Sequence, residues 1–153
     1  MRAADAEKEQ KMTVKQLSVF IENRKGRLGE VLSVLKAHKV NILSMCVADT
    51  TEYGLLRLIV NDPEKGKDAL LADGFSSMVS DVLIIKLPHH SGSLSEVLEV
   101  IAAKDINIDY MYGLSVDGAD ASVVMKTADT EAAKLALTEG GIATMSAEEL
   151  AKL

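Results

Sequence analysis

Asn23, Arg24, Lys25, Gly26, Arg27 and Leu28 form a corner where the strand-like run LSVFIE gives way to an aliphatic pattern of helical period. A helix start offers backbone N–H groups without intrahelical partners and about half a positive charge. A glycine there lets a carboxylate approach those groups without meeting a Cβ. Arg24, Lys25 and Arg27 would deepen the positive potential. The Asn23 amide can accept from an ammonium group through its oxygen or donate to a carboxylate through its NH2. A corner of this kind suits a zwitterion. The plainer reading of the same residues is a solvated turn whose cations offset nearby acids, with Asn23 as a turn or cap residue.

The pattern occurs twice. GRLGEVLSVLKAHKVNILSM, residues 26–45, and GSLSEVLEVIAAKDINIDYM, residues 92–111, agree at ten of twenty positions at an offset of 66 without a gap. The same offset sets Leu17 against Leu83, Leu58 against Val124, Leu71 against Leu137 and Gly74 against Gly140, so the duplication covers most of the chain. The second corner differs in chemistry. His89 and His90 stand where the first has Asn23 and Arg24, followed by Gly92, Ser93 and Leu94.

The elements that must position these corners follow from periodicity. In the first copy, Leu28, Val31, Leu32 and Leu35 recur at helical spacing, with Glu30, Ser33, Lys36 and Lys39 on the opposite face. NILSMCVA and GLLRLIVN read as strands around a turn at DTTEY. Asp62 and Pro63 start a second helix that Gly74 ends, and SSMVSDV supplies a short last strand. The second copy repeats the order: the strand VLIIKL, a helix with Leu94, Val97, Leu98 and Ile101 inward, NIDYMYGLSV, a hairpin turn at Asp117-Gly118, ADASVVMK, a helix near Thr130 to Glu139, and a short strand at ATMS. Each unit is β-α-β-β-α-β. The fold class expected is α+β: two ferredoxin-like units joined into an extended antiparallel sheet with helices on one face. The expected division is a flexible tail over residues 1–13, a first domain over 14–81 and a second over 82–153.

Composition excludes several functions. The 153 residues include no Trp and 3% aromatics, so the core must be aliphatic, with seven Met among its fillers. A formal net charge of −6 opposes nonspecific binding to nucleic acid or to anionic membranes. A second Gly-x-x-Gly reading, at Gly26 and Gly29, as an RNA clamp fails because the other copy has GSLS. The single cysteine, Cys46, has no evident base partner and reads as a small core residue. No apolar run approaches the roughly 18 residues of a membrane span, and the charged start lacks the apolar stretch of a signal peptide. A cytoplasmic protein without cofactor is expected. Adjacent His89 and His90 point to opposite sides of an extended segment, with no third ligand at metal spacing, so no metal site is expected. No nucleophile-base constellation or phosphate loop appears, and no enzyme activity is expected.

The strand, glycine-bearing corner, aliphatic helix and Asn-Ile opening the next strand resemble the ACT domain, a regulatory module that in many enzymes binds amino acids. The carriers are KGRLGEVLSVLKAHKVNI and SGSLSEVLEVIAAKDINI, and the resemblance covers about residues 15 to 150. ENRKGRL is also similar to the serine-binding ACT domain of phosphoglycerate dehydrogenases, where an Asn before the glycine and the Asn opening the second strand hold the amino acid. Those positions fall on Asn23 and Asn41. Lys25 and Ser91 replace the proline usual before the glycine, and Ile21 replaces a frequent His.

The resemblance implies that sheets joined edge to edge turn each Asn-Ile strand toward the neighbouring domain's loop. The sites expected are crossed: Asn23, Arg24, Lys25, Gly26, Arg27 and Leu28 with Asn107 and Met111, and His89, His90, Gly92, Ser93 and Leu94 with Asn41 and Met45. Tyr110 and Tyr112 could line the same pocket, although core packing accounts for each Met equally well. The function implied is a regulatory protein that binds a free amino acid, as a homodimer or beside an amino-acid biosynthetic enzyme. The alternative is a ligand-free assembly subunit, for example of acetolactate synthase.

Overall fold

The computed structural model describes residues 3–4, 12–49, 52–115 and 121–153. The elements run β1 (Thr13–Glu22), α1 (Arg27–Ala37), β2 (Ile42–Asp49), β3 (Tyr53–Val60), α2 (Pro63–Ala72), β4 (Ser77–Leu87), α3 (Ser93–Ala102), β5 (Ile108–Leu114), β6 (Ala121–Thr127), α4 (Thr130–Glu139) and α5 (Ala147–Ala151). The fold is α+β with antiparallel strand pairs, in keeping with tandem ferredoxin-like units. Two compact units emerge, one over Lys15–Ser80 and the other over Asp81–Leu153 with the described residues up to Val14.

In the first unit β3 lies between β2 and β1, with Leu17 opposite Leu58 and Met45 opposite Leu58 on its other side. Alternation along β1 and β3 sends Leu17, Val19, Leu56 and Leu58 to one face, where Val31 and Leu35 of α1 and Leu70 of α2 cover them. Each such side chain contributes about 1.5–3 kcal/mol on leaving water. Gly66 lets α2 sit close to the sheet, since a Cβ there would lie 3.0 Å from Leu17 Cδ2. In α2 the Asp62 side chain accepts from the Lys65 N–H, Pro63 opens the first turn and Gly74 follows at φ +86°.

The second unit repeats this with β6 between β5 and β4. Leu83, Ile85, Val97, Ile101, Met125 and Leu137 form its core. Asp129 caps α4 through the Ala132 N–H.

Three sequence expectations need correction. SSMVSDV and VLIIKL are not separate strands, because Ser77–Leu87 is continuous as β4. ATMS forms only a single bridge, Thr144 to Ile85, flanked by Lys86 N–H to Ala143 O and Met145 N–H to Ile84 O. Ser146 then caps α5 by accepting from the Glu149 N–H, so the chain ends in a helix.

The third concerns the repeat, which changes offset after β5. Gly26 to Gly92 and Met45 to Met111 keep 66, but the caps Asp62 and Asp129, the core residues Leu70 and Leu137, and the left-handed glycines Gly74 and Gly141 are 67 apart. Leu58 corresponds to Met125, since these are the residues opposite Leu17 and Leu83. Six positions (49–54) separate the pair Ala48 and Leu55, and seven (115–121) separate Leu114 and Ser122. The matches of Leu58 with Val124, Leu71 with Leu137 and Gly74 with Gly140 are thus one residue out. The Asp117-Gly118 turn lies outside the described residues, as do Thr50 and Thr51 of DTTEY and most of the expected 1–13 tail.

Candidate functional site

Both helix entrances have the same backbone. Gly26 precedes α1 at φ 89°, ψ −15°, and Gly92 precedes α3 at φ 89°, ψ −3°. That left-handed conformation costs a residue with a Cβ about 1–2 kcal/mol, which explains a glycine at each place. Neither entrance has a side-chain cap. The first helical hydrogen bonds run from the Glu30 N–H to Gly26 O and from the Glu96 N–H to Gly92 O, both at 3.0 Å. A carboxylate at either entrance would meet backbone donors that no side chain caps.

The side chains around the two entrances differ. At the first, the Asn23 N–H donates to Glu52 O. Arg24 pairs with Glu22 at 2.7 Å, both side chains more than half exposed. Lys25 is exposed. Arg27 folds back: its guanidinium pairs with Glu30 and lies 4.5 Å from the centroid of the Phe75 ring. Only 19% of that side chain is exposed, so Arg27 braces α1 against the end of α2 instead of lining an open seat. The Arg27–Glu30 spacing of three was a readable helix pair, whereas Phe75 is 48 positions away and gave no local signal. Leu28 packs against the core.

At the second entrance Ser93, 8% exposed, takes the place of Arg27. His90 Nδ1 lies 3.0 Å from Ser91 O, and its Nε2 lies 3.8 Å from Glu96 Oε2. His89 is exposed, and Leu94 packs on the core of its unit. Among the described residues no group of three or more His, Cys, Asp or Glu side chains could hold a metal ion.

Asn41 and Asn107 follow residues that also adopt left-handed backbone, with Lys39 and Asp105 each at φ 56°. The Asn41 N–H donates to Asn61 Oδ1 at 2.8 Å, and the Asn61 N–H donates to Asn41 O at 3.1 Å, closing the β2–β3 end. Asn107 O accepts from the Ala128 N–H, and its side-chain NH2 donates to Asp109 Oδ1 at 3.1 Å. Both asparagines thus have structural work within their own units. Met45 is 39% exposed on edge strand β2, and Met111 packs partly buried against its core. Tyr110 and Tyr112 stack at 6.5 Å on the face opposite Met111, so they cannot line one pocket with it. Cys46 is half-buried and unpaired, opposite Arg57. Among the described residues no helix is long and apolar enough to cross a membrane.

Two βαββ halves with matching glycine entrances define a class of paired regulatory modules, and residues 12–153 match the family described as an ACT domain pair. The chain belongs to that family. A crystal structure of a Bacteroides thetaiotaomicron protein is similar to it at 36% identity and a TM-score of 0.86, covering 93% of this chain and 98% of that one. The regulatory subunit of aspartate kinase from Thermus thermophilus, in a ligand-free form, shares the fold at 15% identity and a TM-score of 0.60, over 86% and 95% of the two chains. That from Thermus flavus shares it at 16% identity and 0.55, over 83% and 92%. A search of curated proteins finds no match.

Proposed function

We propose that this ACT domain pair is a regulatory protein that binds a free amino acid at its helix entrances. The observation that carries the reading is the duplicated uncapped glycine at Gly26 and Gly92. Each leaves backbone donors at the positive end of a helix where a ligand carboxylate can reach them. Asn23 at the first entrance and His89 at the second supply different polar groups for the ammonium end. The occurrence of the fold in regulatory subunits of aspartate kinase supports a role beside an enzyme of amino-acid synthesis in the cytoplasm, with occupancy coupled to assembly.

A thermal melt against the twenty amino acids tests this. A ligand at about 100 times its dissociation constant stabilises the native state by roughly 2.7 kcal/mol. Asn23→Ala should weaken the hit more than His89→Ala does, and Asn107→Ala and Asn41→Ala test the crossed pairing expected from the sequence. A flat panel overturns the proposal. It would favour a ligand-free assembly subunit, a reading supported by the pairing of Arg24 and Arg27 with the protein's own acids.

A further inference from the structure

Between α1 and α2 of the first unit runs a groove of about 720 Å3, floored by Val34, Ala37, Ala69 and Ala72 and edged by the acids Glu30 and Asp73. Among the described residues no Lys or Arg lines it. In the second unit the corresponding places are filled. Lys104 and Glu139 stand where the first unit has His38 and Ala72, and they pair at 3.0 Å. Val100 packs so tightly at the end of α4 that a Cβ on Gly140, the counterpart of Asp73, would lie 2.9 Å from its Cγ1. The second unit therefore bridges its helices with its own ammonium group. The first has neither partner of that bridge; it keeps the apolar floor and carries Asp73 where the second unit has Gly140.

We infer that the α1–α2 groove binds a small organic cation, a primary ammonium group on a short apolar chain. Asp73 is the C-cap of α2, whose last turn carries no basic residue, so a carboxylate sits at the negative end of the helix. A cation there is favoured by both the carboxylate and the dipole. Glu30 gives one oxygen to Arg27, yet its side chain is 52% exposed at the other edge. The alanines and Val34 take the chain of the ligand.

The test is a titration of the isotope-labelled full chain with n-butylamine, with butyrate as an anion of similar size, followed by amide NMR. Butylamine should shift Ser33, Ala37, Ala69, Ala72 and Asp73 saturably, with a dissociation constant on the order of millimolar, as about five heavy atoms allow. Asp73→Asn should weaken it by up to about fivefold, the loss of one solvent-exposed ion pair. The double variant His38→Lys with Ala72→Glu copies the second unit's ion pair at two exposed positions and should abolish the saturable shifts while the rest of the spectrum is kept. Unsaturable butylamine shifts, equal binding of butyrate, or full binding by the double variant would overturn the inference. Gly26 and Gly29 also line this groove, so it adjoins the first entrance. Butylamine lacks the carboxylate proposed for the helix entrances, so its failure would sink the groove and leave them standing, whereas a flat amino-acid panel beside saturable butylamine shifts would sink the entrances and leave the groove.

Discussion

The two units share a backbone and differ in what they hang on it. Gly26 and Gly92 have the same φ, Lys39 and Asp105 the same left-handed turn, and Asp62 and Asp129 the same cap. Around them Arg27 has become Ser93, Asn23 has become His89, and an open helical groove has become a bridged one. The duplicated features are those that fix chain direction, where few residues are tolerated. The diverged ones are half-exposed side chains whose replacement costs the fold little, and there two copies can acquire different chemistry.

The largest expected effect tests the equivalence itself. Leu70→Ala and Leu137→Ala should each cost about 2–5 kcal/mol, because both are fully buried core residues. Leu71→Ala, at a position 49% exposed, should stay within about 0.5 kcal/mol. Urea unfolding decides it, and a large loss from Leu71→Ala would restore the gapless alignment. Next in size, Gly26→Ala and Gly92→Ala should cost about 1–2 kcal/mol each. Nothing lies within 4 Å of an added Cβ at either site, so the loss would be backbone strain without a clash and should be alike in the two units. Unequal losses would show that the entrances differ in more than side chains.

The smallest effect belongs to α5, which the first unit lacks because its chain runs on through β4. Lys86 pairs with Glu149 and, chiefly through that hydrogen bond, holds its carboxyl below the usual carboxylate range. A lowered folded-state value stabilises above the ordinary range near about 4.3 and is lost as pH falls through the lowered value. Both side chains are more than a third exposed, so the contribution should be under about 1 kcal/mol. The urea midpoint of Glu149→Gln should fall slightly below that of the unsubstituted protein at pH 7, and the gap should close as the pH falls below the ordinary carboxylate range.

Local signals made much of this legible. The strand β1, the inward faces of α1 and α3, and the Asp62-Pro63 start of α2 follow from period and cap chemistry. The offset change was hidden because one added residue between β5 and β6 leaves hydrophobic neighbours such as Val124 and Met125 both buried, on opposite faces. The end of the chain misled in another way: Ser146 and Glu149 form a helix-start signature that the β-like ATMS obscured. At the candidate site the glycines and their helices were readable. So was Glu30 as a partner of Arg27, three residues on, but Phe75 was not, since it reaches Arg27 only after α2 has returned across the sheet.

Lys39 and Asp105 carry a side chain in a conformation that suits glycine. Each has withheld about 1 kcal/mol of robustness from the protein. A glycine at either place is a route to a hardier version whose helix entrances are unaltered, useful when ligand screens must run warm or for days.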